Sequence, residues 1–180
     1  MRQRRPKPKA AAEDSPASRL TPEELRARTF QRAAKLLAAK PRSIAELRER
    51  LAECCSSKAV IETVIARLRE YGYLDDERYA LGYASSKVRQ QPIGRRRLEV
   101  NLARKKVDRA VADEALDQVF AETPEEDLLD RALEKRVRLR GRPKTRAEAK
   151  SLFDHLLRQG FPFELVSEKV RAASKANLDE

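Results

Sequence analysis

The chain of 180 residues contains no tryptophan, and five phenylalanines and four tyrosines make aromatic rings only 5% of it. Its apolar content is therefore Leu, Ala, Val and Ile, which suits helices better than strands. Five glycines and few β-branched runs point the same way, so the expected fold is all-α. Cysteine is as scarce: Cys54 and Cys55 are adjacent, and adjacent cysteines rarely close a disulfide because the peptide between them must distort. They read as a reduced pair at a helix end. The single histidine, His155, lies a hundred residues from that pair, so no metal-ligand set is visible.

No apolar run approaches the roughly 20 residues of a membrane span. The N-terminus lacks the apolar core of a secretion signal, and a cytoplasmic protein is expected. There is also no Gly-rich phosphate loop, no paired carboxylates with a matching base and no nucleophile–histidine–acid set. The sequence predicts a protein that binds rather than catalyses, without cofactor or metal.

What the chain has in excess is positive charge. Forty Lys and Arg against 29 Asp and Glu leave a net charge of +11, with an isoelectric point near 9.9. Charge alone favours an anionic partner, either nucleic acid or an acidic protein surface.

Residues 1–20 are rich in Arg, Lys, Pro and Ala with no apolar period, and are expected to form a disordered basic tail. Order begins at Thr21-Pro22-Glu23-Glu24, a helix start in which Thr21 caps, Pro22 takes the first helical position and Glu24 bonds back. Leu25, Phe30, Ala33, Ala34 and Leu37 follow at helical spacing, and Pro41 ends the run. Ser43-Ile44-Ala45-Glu46 opens a second helix with Leu47 and Leu51 inward. A third, from about Ser57, carries Val60, Ile61, Val64, Ile65 and Leu68 and stops at Gly72.

The pattern then recurs. A shift of 51 residues places Leu47, Leu51, Val60, Ile61, Ile65 and Leu68 on Leu98, Leu102, Val111, Ala112, Leu116 and Val119. A further shift of 54 carries Leu98, Leu102, Val107, Val111 and Leu116 onto Leu152, Leu156, Phe161, Leu165 and Val170. Thr123-Pro124-Glu125-Glu126 repeats the first helix start, and Thr145-Arg146-Ala147-Glu148 repeats the box at Ser43. Three tandem three-helix repeats are expected, over residues 21–74, 75–121 and 122–174, with a disordered end at 175–180. Units of about 50 residues are near the lower limit for an independent core, so neighbours should stack to share burial. An elongated, curved, solenoid-like array follows.

The stretch from Leu74 to Val111 carries the functional candidates. Asp75 reads as a cap, with Leu74 and Tyr79 at the spacing of a hydrophobic staple, and Asp76 and Glu77 suit the positive helix end. Tyr79 and Tyr83, one turn apart, fit core or unit-junction packing better than base stacking. After Pro92 and Gly94 comes a helix opening with Arg95, Arg96 and Arg97. Leu98 and Leu102 share its buried stripe. At about 100° per residue, Arg97 and Arg104 coincide a third of a turn away and Arg96 stands opposite, leaving an outward cationic face. Lys105 and Lys106 extend it. The densest basic run is Lys135, Arg136, Arg138, Arg140, Arg142, Lys144, Arg146 and Lys150, broken by one acid, Glu148. Eight cations through a loop exceed what helix-dipole complement explains.

The segment Leu74-Asp75-Asp76-Glu77-Arg78-Tyr79-Ala80, the segment Gly94-Arg95-Arg96-Arg97-Leu98 and the three-unit layout resemble the RecX family of bacterial recombination regulators. The resemblance covers about residues 25–173; Gln90-Gln91-Pro92-Ile93 stands in place of the family's glycine-rich turn. It implies a small monomeric, non-enzymatic modulator that lies in the groove of the filament formed by the RecA recombinase on single-stranded DNA. There it would limit ATP hydrolysis, strand exchange and co-protease activity. Carried onto this chain, Asp75, Asp76, Arg78, Tyr79 and Gly94 match the family motif. The expected contact residues are Arg95, Arg96, Arg97, Arg104, Lys105 and Lys106, with Arg136, Arg138, Arg140, Arg142, Lys144 and Arg146. An alternative reading is a helix-turn-helix-like protein acting directly on duplex DNA. Against it, the basic residues lack the Asn or Gln partners that often read adenine.

Overall fold

The computed structural model describes residues 20–175. The tail expected at 1–20 and the end expected at 175–180 lie, apart from Leu20 and Lys175, outside the described residues. Within them the chain forms nine helices and no strand: α1 (Pro22–Ala39), α2 (Ile44–Ala52), α3 (Lys58–Glu70), α4 (Asp76–Gln90), α5 (Arg95–Arg104), α6 (Arg109–Glu122), α7 (Glu125–Arg140), α8 (Arg146–Arg158) and α9 (Phe163–Lys175). The all-α expectation and the repeated three-helix layout hold.

Side-chain caps set most of the helix starts. The Thr21, Ser43, Ser57, Asp75, Asp108 and Thr145 side chains each accept a backbone N–H from the first turn of their own helix. The second Thr-Pro-Glu-Glu sequence behaves differently from the first. Thr21 and Glu24 close a capping box, whereas Thr123 ends α6 and α7 begins at Glu125 with no side-chain cap bond.

Burial is shared unevenly. Helices α1–α3 (unit one) close around Ala33, Leu47, Leu51, Ile61, Val64, Ile65 and Leu68, with Leu74 from the connector. Helices α4–α6 (unit two) and α7–α9 (unit three) form one continuous core that includes Ala84, Leu98, Leu102, Leu116, Leu128, Leu156 and Val166. Each fully buried leucine contributes about 1.5–3 kcal/mol relative to exposure, so a common core ties units two and three strongly. Unit one does not merge with it, contrary to the expected sharing along the whole array. The boundary between units one and two is built from Ser43, Glu46 and Glu49 on one side and Asp76, Lys105 and Lys106 on the other. Such groups lose hydration on burial unless they bond one another, so this boundary is a polar junction.

The two junctions follow one plan. At the first, the Ser43 hydroxyl at the start of α2 donates to the carbonyl of Lys105 at the end of α5, 2.5 Å away. The Ile44 amide donates to Asp76 Oδ1 at the start of α4, at 2.9 Å. At the second, the Gly94 amide at the start of α5 donates to the carbonyl of Gln159 at the end of α8, at 3.0 Å. The Arg95 amide donates to Glu125 Oε1 at the start of α7, at 2.7 Å. In each case a carboxylate of the following unit satisfies an amide at a helix start, a group that has no partner inside its own helix.

At the second junction the backbones nearly touch. A Cβ on Gly94 would lie 2.3 Å from the Gly160 carbonyl carbon, and one on Gly160 would lie 2.4 Å from the Arg97 nitrogen. Gly160 also has φ +92°, in the left-handed region that favours glycine.

Candidate nucleic-acid interface

Helix α5 buries Leu98 and Leu102 completely, and that fixes where its arginines point. Arg96, Arg97 and Arg104 are exposed and make no ion pair among the described residues. The outward face read from helical spacing is therefore present for these three.

The other three cations of that stretch are engaged inside the molecule. Arg95 turns back along its own helix and toward α6, pairing with Glu99 at 3.1 Å and Asp117 at 2.7 Å. Lys105 Nζ lies 2.8 Å from Glu46 of unit one, and Lys106, at φ 56°, pairs with Glu49. Arg95, Lys105 and Lys106 are thus removed from the free cationic face and placed at helix contacts and the first junction. Sequence spacing could not show this, because Glu46 and Glu49 lie nearly 60 residues before the lysines they meet.

Glu46 sits where several of these groups converge. Burial raises its carboxyl pKa, but the bond and charge of Lys105, together with Ser43 and the charge of Lys40, hold it below the usual range. The Tyr79 hydroxyl is 3.5 Å from the same carboxylate, and its pKa is pushed up to about 12 by burial first and by the Glu46 charge second. The family-motif residues divide accordingly. Asp75 caps α4, Asp76 and Tyr79 belong to the first junction, and Gly94 belongs to the second. Arg78 donates to the Gly72 carbonyl at 2.5 Å and steadies the turn into α4.

In unit three, Arg138, Arg140, Arg142, Lys144 and Arg146 are exposed across the α7–α8 turn and have no ion-pair partner among the described residues. Arg136, Arg140 and Arg142 line a hollow of about 260 Å³ at this turn. His155 is half-buried rather than freely solvated, and its pKa is lowered by burial first and then by Arg136, Arg158 and Arg140. Three guanidinium groups thus add to the effect of burial at this imidazole, and Arg158 is a cation of this cluster that sequence reading missed.

A broader groove of about 890 Å³ was also missed. Tyr73, Tyr79, Tyr83, Lys40, Arg42 and Lys87 contribute to its lining. The Tyr79 and Tyr83 rings stack at 6.2 Å between centroids, and Lys87 Nζ lies 5.7 Å from the Tyr83 centroid. Tyr79 and Tyr83 also lie against the α4–α9 core, the packing role their spacing favoured. The Tyr83–Lys87 spacing was legible in the sequence. The approach of Lys40 and Arg42 was not, because it depends on how unit one sits on α4.

Comparison with known proteins gives this arrangement a family. Family models for the first and second three-helix domains of RecX match residues 30–68 and 75–116. The chain belongs to the RecX family. A regulatory protein RecX of Treponema pallidum is 38% identical over 109 residues, a match spanning 61% of this chain and 66% of that protein. The regulatory protein RecX of Amycolatopsis mediterranei is 28% identical over 171 residues, covering 92% and 97% of the two chains. The crystal structure of RecX from Lactobacillus salivarius superposes with a TM-score of 0.74 at 18% identity, covering 84% of this chain and 97% of that one. The helical array is thus shared where sequence identity is low. Among the described residues no helix is long and apolar enough to cross a membrane.

Proposed function

We propose that this RecX-family chain is a binding regulator of recombinational repair in the cytoplasm. It acts on the filament that RecA forms on single-stranded DNA and limits ATP hydrolysis, strand exchange and co-protease activity without catalysing a reaction itself. The relatives are named regulatory proteins, which supports the non-enzymatic reading. The observation that carries the proposal is the set of exposed cations without internal partners: Arg96, Arg97 and Arg104 on α5, and Arg138 through Arg146 around the α7–α8 turn. They stand on a row of stacked helical units, a form suited to an extended polyanion or to acidic loops repeated along a filament. Guanidinium and ammonium groups on such a surface neutralise phosphates and release counterions.

The test is the ATPase rate of RecA on single-stranded DNA with this protein titrated in. Wild type lowers the rate. The triple variant Arg96→Glu, Arg97→Glu and Arg104→Glu keeps its helicity and loses inhibition; undiminished inhibition by that variant would remove the α5 face from the mechanism. Tight, salt-sensitive binding to one duplex sequence, with no preference for recombinase-coated strands, would favour the helix-turn-helix-like reading instead.

A further inference from the structure

All four tyrosines of the chain, Tyr71, Tyr73, Tyr79 and Tyr83, stand in or beside the groove between unit one and α4. Tyr79, Tyr83 and Lys87 step along α4 four residues apart, with Gly82 and Ser86 beside them on the same face. Tyr79 and Tyr83 keep their packing role, and the core they lie against holds them in place. Tyr73, from the connector between α3 and α4, is 66% exposed. It meets Tyr71 edge-on at 6.2 Å, and Arg67 Nε donates to the Tyr71 hydroxyl at 3.1 Å. A ring two-thirds open to water but braced by its neighbours is a preorganised stacking surface. The charges of the groove are one-sided. Lys40, Arg42, Arg78 and Lys87 line it and make no ion pair among the described residues, whereas Asp75, the one acid of the lining, is occupied in capping α4. Gly82 lines it from the middle of a helix, where glycine is destabilising relative to alanine. Packing does not require that glycine, since a Cβ there would have no atom within 4 Å. Its missing side chain leaves open space beside the two rings.

We propose that this groove binds a single strand of nucleic acid, its unpaired bases stacked on Tyr73, Tyr79 and Tyr83 and its phosphates on Lys40, Arg42 and Lys87. Every base has a π-face, so such a site tolerates any sequence. It rejects duplex, in which the bases are paired and already stacked on one another. An acidic protein segment would satisfy the cations but would leave the rings and the open space at Gly82 without a role. The site uses none of the arginines of α5 or the α7–α8 turn, which answer to phosphate charge alone. It supplies what they lack, a means of telling single strand from double.

Because the chain has no tryptophan, its intrinsic fluorescence comes from these four tyrosines and reports on this groove. Oligothymidylate titrated into the full chain, with no recombinase present, should quench that emission. A strand of equal length lacking its bases, and a duplex of that length, should quench little although both carry phosphates. Tyr73→Ala, at an exposed position, should weaken oligothymidylate binding roughly tenfold and abasic-strand binding far less. Lys87→Ala should weaken both and reduce the salt slope by about 0.7. Gly82→Leu should weaken oligothymidylate binding by a similar factor without lowering the melting temperature, since leucine is the better helix former. Equal quenching by the abasic strand, wild-type binding of the single strand by Tyr73→Ala and Gly82→Leu, or emission that responds to polyglutamate and not to oligothymidylate would overturn the proposal. Each of those outcomes is compatible with RecA inhibition through the α5 face, and loss of that inhibition leaves the quenching intact, so the two readings fail separately.

Discussion

Asp76 Oδ1 holds the Ile44 amide at 2.9 Å, joining the first residue of α4 to the first residue of α2. The carboxyl is nearly half-buried, and burial raises its pKa above 3.8 although the Ile44 amide opposes the shift. Asp76→Ala should therefore lower stability by about 1–2 kcal/mol, because it leaves an amide at a helix start without its partner. Asp76→Asn keeps an acceptor and should cost less. The pH dependence has a definite sign. With the folded pKa raised, the folded state holds the proton longer, so this group's contribution is fully present below its ordinary value and is lost as pH rises through the carboxylate range. Urea unfolding of wild type and Asp76→Asn across that range should show wild type losing ground to the variant as pH rises. A constant difference would remove Asp76 as a titrating member of the junction.

The second junction should respond to bulk instead of charge. A methyl at Gly94 meets the Gly160 carbonyl at 2.3 Å, and one at Gly160 meets the Arg97 nitrogen at 2.4 Å. Gly94→Ala and Gly160→Ala should each cost about 2 kcal/mol or more, since backbone atoms cannot step aside as a flexible side chain can. Gly82 lies within α4, and a methyl added there would have nothing within 4 Å of it. Gly82→Ala should stabilise the chain by about 0.5–1 kcal/mol, as alanine does in an open helix. Thermal melts of the three variants check the contrast; similar effects at all three positions would exclude a close backbone junction.

His155 gives a spectroscopic handle on the basic cluster of unit three, because it is the only histidine in the chain. Its folded pKa lies below 6.5 through burial first and then Arg136, Arg158 and Arg140. The unfolded chain therefore takes up the proton first as pH falls through about 6.5, and stability should decline in that interval. Phosphates seated on the arginines would cancel part of the positive potential. The imidazole resonance should then titrate at higher pH when single-stranded DNA is added. An unchanged midpoint under saturating DNA would show that phosphates do not occupy this cluster.

Arginines next to each other in α5 should separate into two classes. Arg96→Ala and Arg104→Ala remove exposed, unpaired cations, so each should flatten the salt dependence of DNA binding by about one charge and leave unfolding unchanged. Arg95→Ala should do the reverse, because Arg95 bridges Glu99 and Asp117. Its partners are partly exposed, so the loss should stay near or below about 1 kcal/mol. Fluorescence anisotropy over a salt series, paired with urea unfolding, distinguishes the two classes.

Much of this architecture is legible in the chain because its determinants are local. Helical spacing buries Leu98 and Leu102, the Thr and Ser caps mark α1, α2, α3 and α8, and repetition of apolar positions at shifts of 51 and 54 announces a three-unit array. The outward direction of Arg96, Arg97 and Arg104 follows from the same angular rule. By itself, then, the sequence determined the helices, their apolar faces, the repeat and the sign of the surface charge. Tertiary structure decided which of those charges remain free. Lys105 and Lys106 read as surface cations until unit one brings Glu46 and Glu49 against them, and Asp76 reads as helix-dipole complement until the Ile44 amide arrives. The physical reason is that a charge pairs through space, and the distance between groups far apart along the chain is set by how the units stack.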